Sequence, residues 1–343
     1  MKINLYSGFL IGLLACVFVS CDLGTTGNVV NVYSHRHYPI DQELFSEFER
    51  ETGIRVNVVS ATADELITRL ELEGERSPAD LLITVDAGNL HKAKTAGLLQ
   101  SVSSSKVEEV VPPRLRDSEN YWFAYTYRAR AIAFAPDRID AATISTYEKL
   151  ARLDLGARVV MRSSENPYNQ SLMASIVAHL GSEQATEWCR GLTGNFARNP
   201  RGNDRDQIKA VAAGQADVTV CNTYYVAKLG ESPNAEEREV FNKIEVLFPN
   251  QQDRGTHINI SGVGVTRHAP NKDNAVKMLE FLISAPVQHR LSVENHEYPV
   301  RDDVELSPYL ELWGEFLIDT LSLEKLGEFN APAVRIMDEC GWM

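Results

Sequence analysis

Apolar positions recur along this chain in two rhythms, every second residue and about every 3.6, and the exchange between them lays out an α/β protein. Val29 to Tyr33 (VVNVY) reads as a strand. After the turn SHRHY comes Pro39 at a favoured first helical position, and Leu44, Phe45 and Phe48 share one face of a helix that stops at Gly53. Arg55 to Val59 is a second strand, Asp64 to Leu72 a second helix, and Ala79 to Val85 (ADLLITV) a third strand. A helix then runs to Gly97 with Asp86 as its N-cap, a role that needs no ligand. This order implies a parallel sheet.

From Ser101 to Asn120 the sequence is Ser-rich, contains PPR and shows no period, so it reads as a surface connection. Tyr121 to Phe134 (YWFAYTYRARAIAF) and Thr256 to Thr266 (THINISGVGVT) are long extended runs. Two strands of this length can carry the chain from one lobe to another and back, a two-stranded hinge that couples closure to occupancy of the cleft. Between them lies a second lobe. Ala157 to Met161 and Asp217 to Cys221 (DVTVC) read as strands, and Tyr168 opens a helix whose Leu172, Met173, Ile176, Val177 and Leu180 form a stripe ending at Gly181. Further helices are expected at Gln184 to Cys189, Gln207 to Ala213, Val226 to Leu229, Glu236 to Asn242 and Asn274 to Ile283, with a mostly helical tail from Tyr309.

The length of 343 residues suits two lobes, and a content of 44% hydrophobic and 24% charged residues is that of a soluble globular chain. The first twenty residues differ: Lys2 and then an apolar run ending LLACVFVSC have the order of a secretory signal. The run resembles a lipoprotein signal in which a lipidated cysteine becomes the first mature residue. Cys16 fits the LLAC consensus better, but cleavage there leaves apolar VFVS at the terminus; Cys21 precedes polar DLGTTGN and is the favoured site. The net charge is −13, and loss of a segment with one lysine and no acid makes the rest more acidic still, which excludes nucleic acid as a partner. Beyond the signal only Cys189, Cys221 and Cys340 remain, enough for at most one disulfide and no CxxC site.

Candidate chemistry gathers at the strand-to-helix junctions. Adjacent residues of a strand face opposite ways, so Tyr224 and Tyr225 in CNTYY can serve one site only if the backbone turns there, with Asn222 or Thr223 as N-cap of the helix that follows. Tyr38, beside His37, and Tyr168 occupy equivalent junctions, the edge where open α/β sheets bind ligands. Phenolate is a hard anionic oxygen suited to Fe(III), and a bound cation displaces its proton. Three phenolates neutralise Fe(III) and a fourth leaves −1, so Arg128 and Arg130, on one face of the first crossing strand, could balance the charge or hold an anion such as carbonate. Taken singly, each feature has a plain structural explanation. A tyrosine is usually a packing residue, an exposed His35 and His37 pair is common, and arginines pair with carboxylates.

As a set, SHRHY with ETGIRVNVV, PADLLITVDAG, YRARAIAF, RSSENPYNQSLMAS, CNTYY, RGTHINISGVGVT, EYPV, LSLEKLGEFNAPAV and IMDECGW resemble the ferric-iron-binding receptors of ABC transporters, of the FbpA/FutA type. The likeness runs from about Val29 to Trp342. It implies a class II periplasmic-binding-protein fold, two α/β lobes joined by a two-stranded hinge with the ligand cleft between them. The expected organisation is a signal at 1–20, a tether at 21–28, one lobe from 29–127 and 256–302, and the other from 128–255 and 303–343. The family's metal ligands fall on His37, Tyr38, Tyr168, Tyr224 and Tyr225, and its arginine-bearing strand, implicated in anion binding or support, on Arg128 and Arg130. Two departures stand out: His35 replaces a small residue, and Lys228 replaces an arginine found in many relatives.

The expectation is therefore a monomeric, extracytoplasmic, lipid-tethered receptor that captures Fe(III), with carbonate as an accompanying anion, and delivers it to an inner-membrane permease and its ATPase. It is not an enzyme: GxSxG, HExxH and Walker motifs are absent. Two alternatives stay open, a receptor for a small organic or anionic solute and an iron-sequestering protein with no transporter.

Overall fold

A computed structural model describes residues 28–343. The expected signal segment, almost all of the tether, and both candidate lipidation sites, Cys16 and Cys21, lie outside the described residues.

The chain begins with β1 (Val29–Ser34), α1 (Pro39–Thr52), β2 (Arg55–Ser60), α2 (Ala63–Glu73), β3 (Leu81–Thr84) and α3 (Ala87–Thr95). β1 lies between β2 and β3 and is parallel to both, the right outcome for strands joined through helices. Each helix stops or starts where its sequence says it should. Gly53 closes α1 in the left-handed region (φ 68°), Thr62 and Glu65 form a capping box on α2, and the Asp86 carboxylate accepts the Asn89 amide to cap α3.

The segment expected to be a surface connection is more than that. It contains α4 (Ser105–Val110), started by the Ser104 hydroxyl, and it sends Val107, Val111 and Leu115 into the core. A helix of six residues is too short to show a period.

β4 (Phe123–Phe134) is the strand on which the molecule turns. Next come β5 (Val159–Val160), α5 (Pro167–Gly194), α6 (Asp204–Ala212), β6 (Val218–Asn222), α7 (Thr223–Gly230), α8 (Ala235–Asn242) and β7 (Glu245–Leu247). α5 is two helical segments broken at Gly181 (φ 76°, ψ 164°), a conformation that favours glycine. β8 (Ile258–Val265), α9 (Lys272–Leu282), α10 (Ala285–Asn295), β9 (Tyr298–Pro299), α11 (Pro308–Trp313), α12 (Glu324–Glu328) and α13 (Asn330–Glu339) complete the chain.

The sheet runs in the order β2-β1-β3-β8-β4-β6-β5, with β7 and β9 also on β4. From Phe123 to Ala129 β4 pairs with β8 and β9, and from Arg130 to Phe134 with β6 and β7. The change of partner between Ala129 and Arg130 is the hinge, and β8 crosses beside it, with His257 O accepting from Arg130 N at 2.9 Å. A third passage accompanies them: Thr256 N bonds Leu317 O at 2.8 Å, and Asp319 N bonds Thr256 O at 2.9 Å.

One apolar core forms around β1, β3 and β8, and a second around α5, β6 and α13. The tail is shared between them rather than belonging whole to the second lobe. Leu323 and Leu326 are buried in the first core, where Gly327 lets α12 approach His91 of α3, whereas Ile336, Met337 and Trp342 fill the second.

Candidate metal centre

Each of the four tyrosines is delivered by the start of a helix. Tyr38 is the residue that precedes α1, fixed by its own amide bonded to Asp41 Oδ2 at 2.9 Å. Tyr168 sits in the first turn of α5, its amide bonded to Asn166 Oδ1 at 3.0 Å. β6 ends at Asn222 and α7 begins at Thr223, so the backbone turns just where the YY pair requires it. Asn222 holds the N-cap position without capping; its side chain instead donates to Tyr224 Oη (3.3 Å) and accepts from Arg130 Nη1 (3.2 Å). Amide dipoles at helix N-termini favour negative charge on the phenols.

The hydroxyls meet. Tyr38 Oη donates to Tyr224 Oη at 2.9 Å across the two lobes, and Tyr224 Oη donates to Tyr168 Oη at 3.4 Å. The Tyr225 ring lies against Tyr224 with centroids 4.3 Å apart. Tyr168 and Tyr224 are buried, and Tyr38 and Tyr225 are partly so. His37 stands outside this group: it is exposed, its ring stacks on Tyr38 at 5.7 Å, and its Nδ1 lies 3.3 Å from His35 O. His35 lies beside it half-buried, with burial lowering its affinity for a proton, and it lines a cleft of about 920 Å³ together with Asp64, Asp86, His91 and Gln170. Among the described residues no three His, Cys, Asp or Glu side chains form a metal site, which leaves the phenols as the candidate donors.

Burial, and then the mutual repulsion that their ionised forms would suffer, push the phenols of Tyr38 and Tyr224 well above the usual tyrosine value and that of Tyr225 up to about 12. In the absence of a cation these groups keep their protons. Positive charge surrounds them. Arg128 stands 5.3 Å from the Tyr168 ring and Arg130 6.0 Å, as the crossing strand implied. Their terminal nitrogens are committed to the protein, Arg128 to Ser261 Oγ and Val85 O, Arg130 to Asp204, Asn169 and Asn222. That arrangement suits charge compensation better than direct capture of an anion. Burial works against the charge of Arg128, but the neighbouring phenols and Glu297 outweigh it and raise its pKa.

Arg36, Asp41, Glu297 and Arg162 escaped the reading of the sequence, which placed Asn222 only as a cap. Arg36, between the two histidines, lies 4.5 Å from the Tyr38 ring and is clamped by Asp41 (2.7 Å) and by both oxygens of Glu297 (2.7 and 2.9 Å). Burial would raise the Glu297 carboxyl, but Arg36 and Arg128 overcome this and hold it at about 2. Arg162 also lies over the Tyr168 ring, at 5.7 Å, and Asn222 holds Tyr224. Lys228, singled out as a departure, bonds Asn295 Oδ1 at 2.6 Å and lies 4.8 Å from the Tyr38 ring and 5.4 Å from that of Tyr224.

The phenols of Tyr38, Tyr168 and Tyr224 are thus joined by hydrogen bonds between two bodies that continuous strands connect, and phenolate oxygen is the donor type that would suit a small hard ion. Two lobes closing on a site between them define a solute receptor. Residues 43–316 match the bacterial extracellular solute-binding protein family, and the chain belongs to it. An extracytoplasmic place of work follows. Among its relatives is iron uptake protein A1 of Synechocystis, 48% identical over 313 residues, which are 91% of this chain and 87% of that one. Two solved structures superpose closely. One is FutA (IdiA) of Trichodesmium in complex with iron and citrate (TM-score 0.87, 44% identity, 92% of this chain and all of that one). The other is a ferric binding protein from Campylobacter jejuni (0.87, 46%, with the same coverage).

Proposed function

We propose that this chain captures Fe(III) between its lobes through the phenolates of Tyr38, Tyr168, Tyr224 and Tyr225, with His37, exposed and stacked on Tyr38 in this structure, turning in as a fifth donor, and delivers it to an ABC-type permease and its ATPase. The observation that carries this reading is the hydrogen bond from Tyr38 to Tyr224, because it joins candidate ligands of the two lobes into one group. An iron uptake protein, a ferric binding protein and a FutA structure that holds iron with citrate, all similar to this chain, support the choice of cargo.

Binding exchanges phenolic protons for the ion. Four phenolates and Fe(III) carry a net −1, and Arg36 against both Asp41 and Glu297 leaves another −1, so that Arg128 and Lys228 together offset the two. The bound ion ties His37 and Tyr38 of one lobe to the three tyrosines of the other and so holds the hinge shut, and the permease recognises the shut form. The protein performs no reaction on its ligand. A lipid on Cys21 keeps it, as a monomer, at the membrane where the permease lies.

The test is uptake of labelled ferric iron by cells with and without the chain. Loss of high-affinity uptake on deletion, restored by the native chain and not by a Tyr224→Phe, Tyr225→Phe chain, is the expected result. Undiminished uptake in the deletion strain, with the isolated protein still binding iron, would identify a sequestering protein instead.

A further inference from the structure

Three cysteines lie among the described residues, Cys189 and Cys221 buried and Cys340 half-buried, and the iron site uses none of them. Two of the three are neighbours. Cys340 directly follows α13, and its thiol points at the Thr186 carbonyl, Sγ to O 3.6 Å. Thr186 precedes Cys189 by three residues in the second segment of α5, so both lie on one face of that helix. The Cys340 sulfur is thereby set onto the turn that carries Cys189. The two belong to the same apolar core, and burial together with the neighbouring Cys340 raises the pKa of the Cys189 thiol. The chain is held on the far side as well. Trp342 is fully buried, packs against Trp188 (6.4 Å) and Phe196 (5.7 Å), and donates its indole N–H to Arg162 O at 3.0 Å. Cys340 is fixed between a helix and an anchored tryptophan.

We propose that Cys189 and Cys340 form an intramolecular disulfide in the exported protein, joining the end of α13 to the second segment of α5. The inference rests on the extracytoplasmic location, where disulfides form and persist. The half-exposed Cys340 thiolate attacks a disulfide of an external thiol oxidant, small molecule or protein, and displaces one of its thiols. Cys189 then attacks the mixed disulfide and displaces the second, its proton passing to the departing donor sulfur. Two S–H bonds of the chain and one S–S bond of the donor are lost, and one S–S bond of the chain and two S–H bonds of the donor are formed; the donor carries away the two electrons. Cys221 lies in β6 but packs with Ile208, Val226 and Leu229 in a third apolar cluster, apart from Val218 and Val220 of the second core, and stays a thiol. The closed loop contains α7 with Tyr224 and Tyr225, as well as hinge strand β8, and the link resists unfolding mainly by restricting the unfolded chain.

Peptide mapping of the full chain, isolated from the cell envelope and alkylated in denaturant before any reductant is added, tests this. The expected result is one cross-linked species containing Cys189 and Cys340, with Cys221 alkylated; reduction should free both. Recovery of Cys189 and Cys340 both alkylated without reduction would overturn the proposal. A Cys340→Ser chain should melt several degrees below the oxidised native protein and together with the reduced one. If it melts with the oxidised form instead, the link does not exist. The ferric colour of the same sample keeps the two readings apart. Colour with free thiols rejects only the disulfide, and a disulfide without colour rejects only the iron site.

Discussion

Proton release is the sharpest quantitative consequence of a site built from phenols. A tyrosine with an ordinary pKa near 10 is protonated at neutral pH, and burial raises Tyr38 and Tyr224 further and Tyr225 to about 12. Every phenolate recruited by Fe(III) therefore expels one proton. With four tyrosines recruited, lowering the pH by one unit should weaken ferric binding by about four powers of ten, roughly 5 kcal/mol. The sign is fixed: acid returns protons to phenols that hold them tightly, so affinity falls as pH falls and release is promoted. The assay is competition against citrate between about pH 6 and 8, with the protonation of citrate itself subtracted, checked by direct proton counting in weakly buffered solution. Tyr225→Phe should reduce the slope by about one proton and leave the remainder intact. A slope of one proton or fewer, or a Tyr225→Phe protein with the native slope, would refute the phenolate reading even if iron still bound.

Other consequences concern the frame and the neighbouring charges. Glu297→Gln strips Arg36 of its bidentate carboxylate inside the core and should lower stability by about 3–5 kcal/mol in urea denaturation at neutral pH. Because the Glu297 carboxyl is depressed to about 2, its contribution is present above its unfolded value near 4.5 and disappears as pH falls towards 2, so native and variant stabilities should converge in that window; a constant gap would contradict the ion-pair account. Lys228→Met removes the cation beside Tyr38 and Tyr224 and should weaken ferric binding about 10–100-fold, while Lys228→Arg should largely preserve it. Tyr224→Phe removes the central hydroxyl, bonded to Tyr38, Tyr168 and Asn222, and should cost far more iron affinity than His37→Ala, which removes an exposed neutral group. Equal losses at the two positions would overturn that ranking.

Which parts of this molecule were legible follows from the range of the forces involved. The β1–α1–β2–α2–β3–α3 order is written locally, in period, caps and Gly53, and the tyrosines were found because a YY pair at a strand end demands a turn. α10 was missed because it buries Gln288, Ser292 and Asn295, polar side chains that break the apolar stripe. α4 was hidden by its serines and its length. The third passage across the hinge has no pattern of its own and exists through pairing with Thr256, about sixty residues away. The role of Arg36 was likewise invisible, since it depends on Glu297 at a separation of 261 residues. The clustering of the phenols could be suspected from equivalent junctions, but their hydrogen bonds arise only when the lobes meet.

The most direct test of the central claim is the visible spectrum of the mature protein as ferric citrate is added. A phenolate-to-iron charge-transfer band that grows to a sharp end point at one iron per chain, and fades in Tyr224→Phe, Tyr225→Phe protein, is predicted. A colourless, unshifted protein at saturating iron would contradict the account.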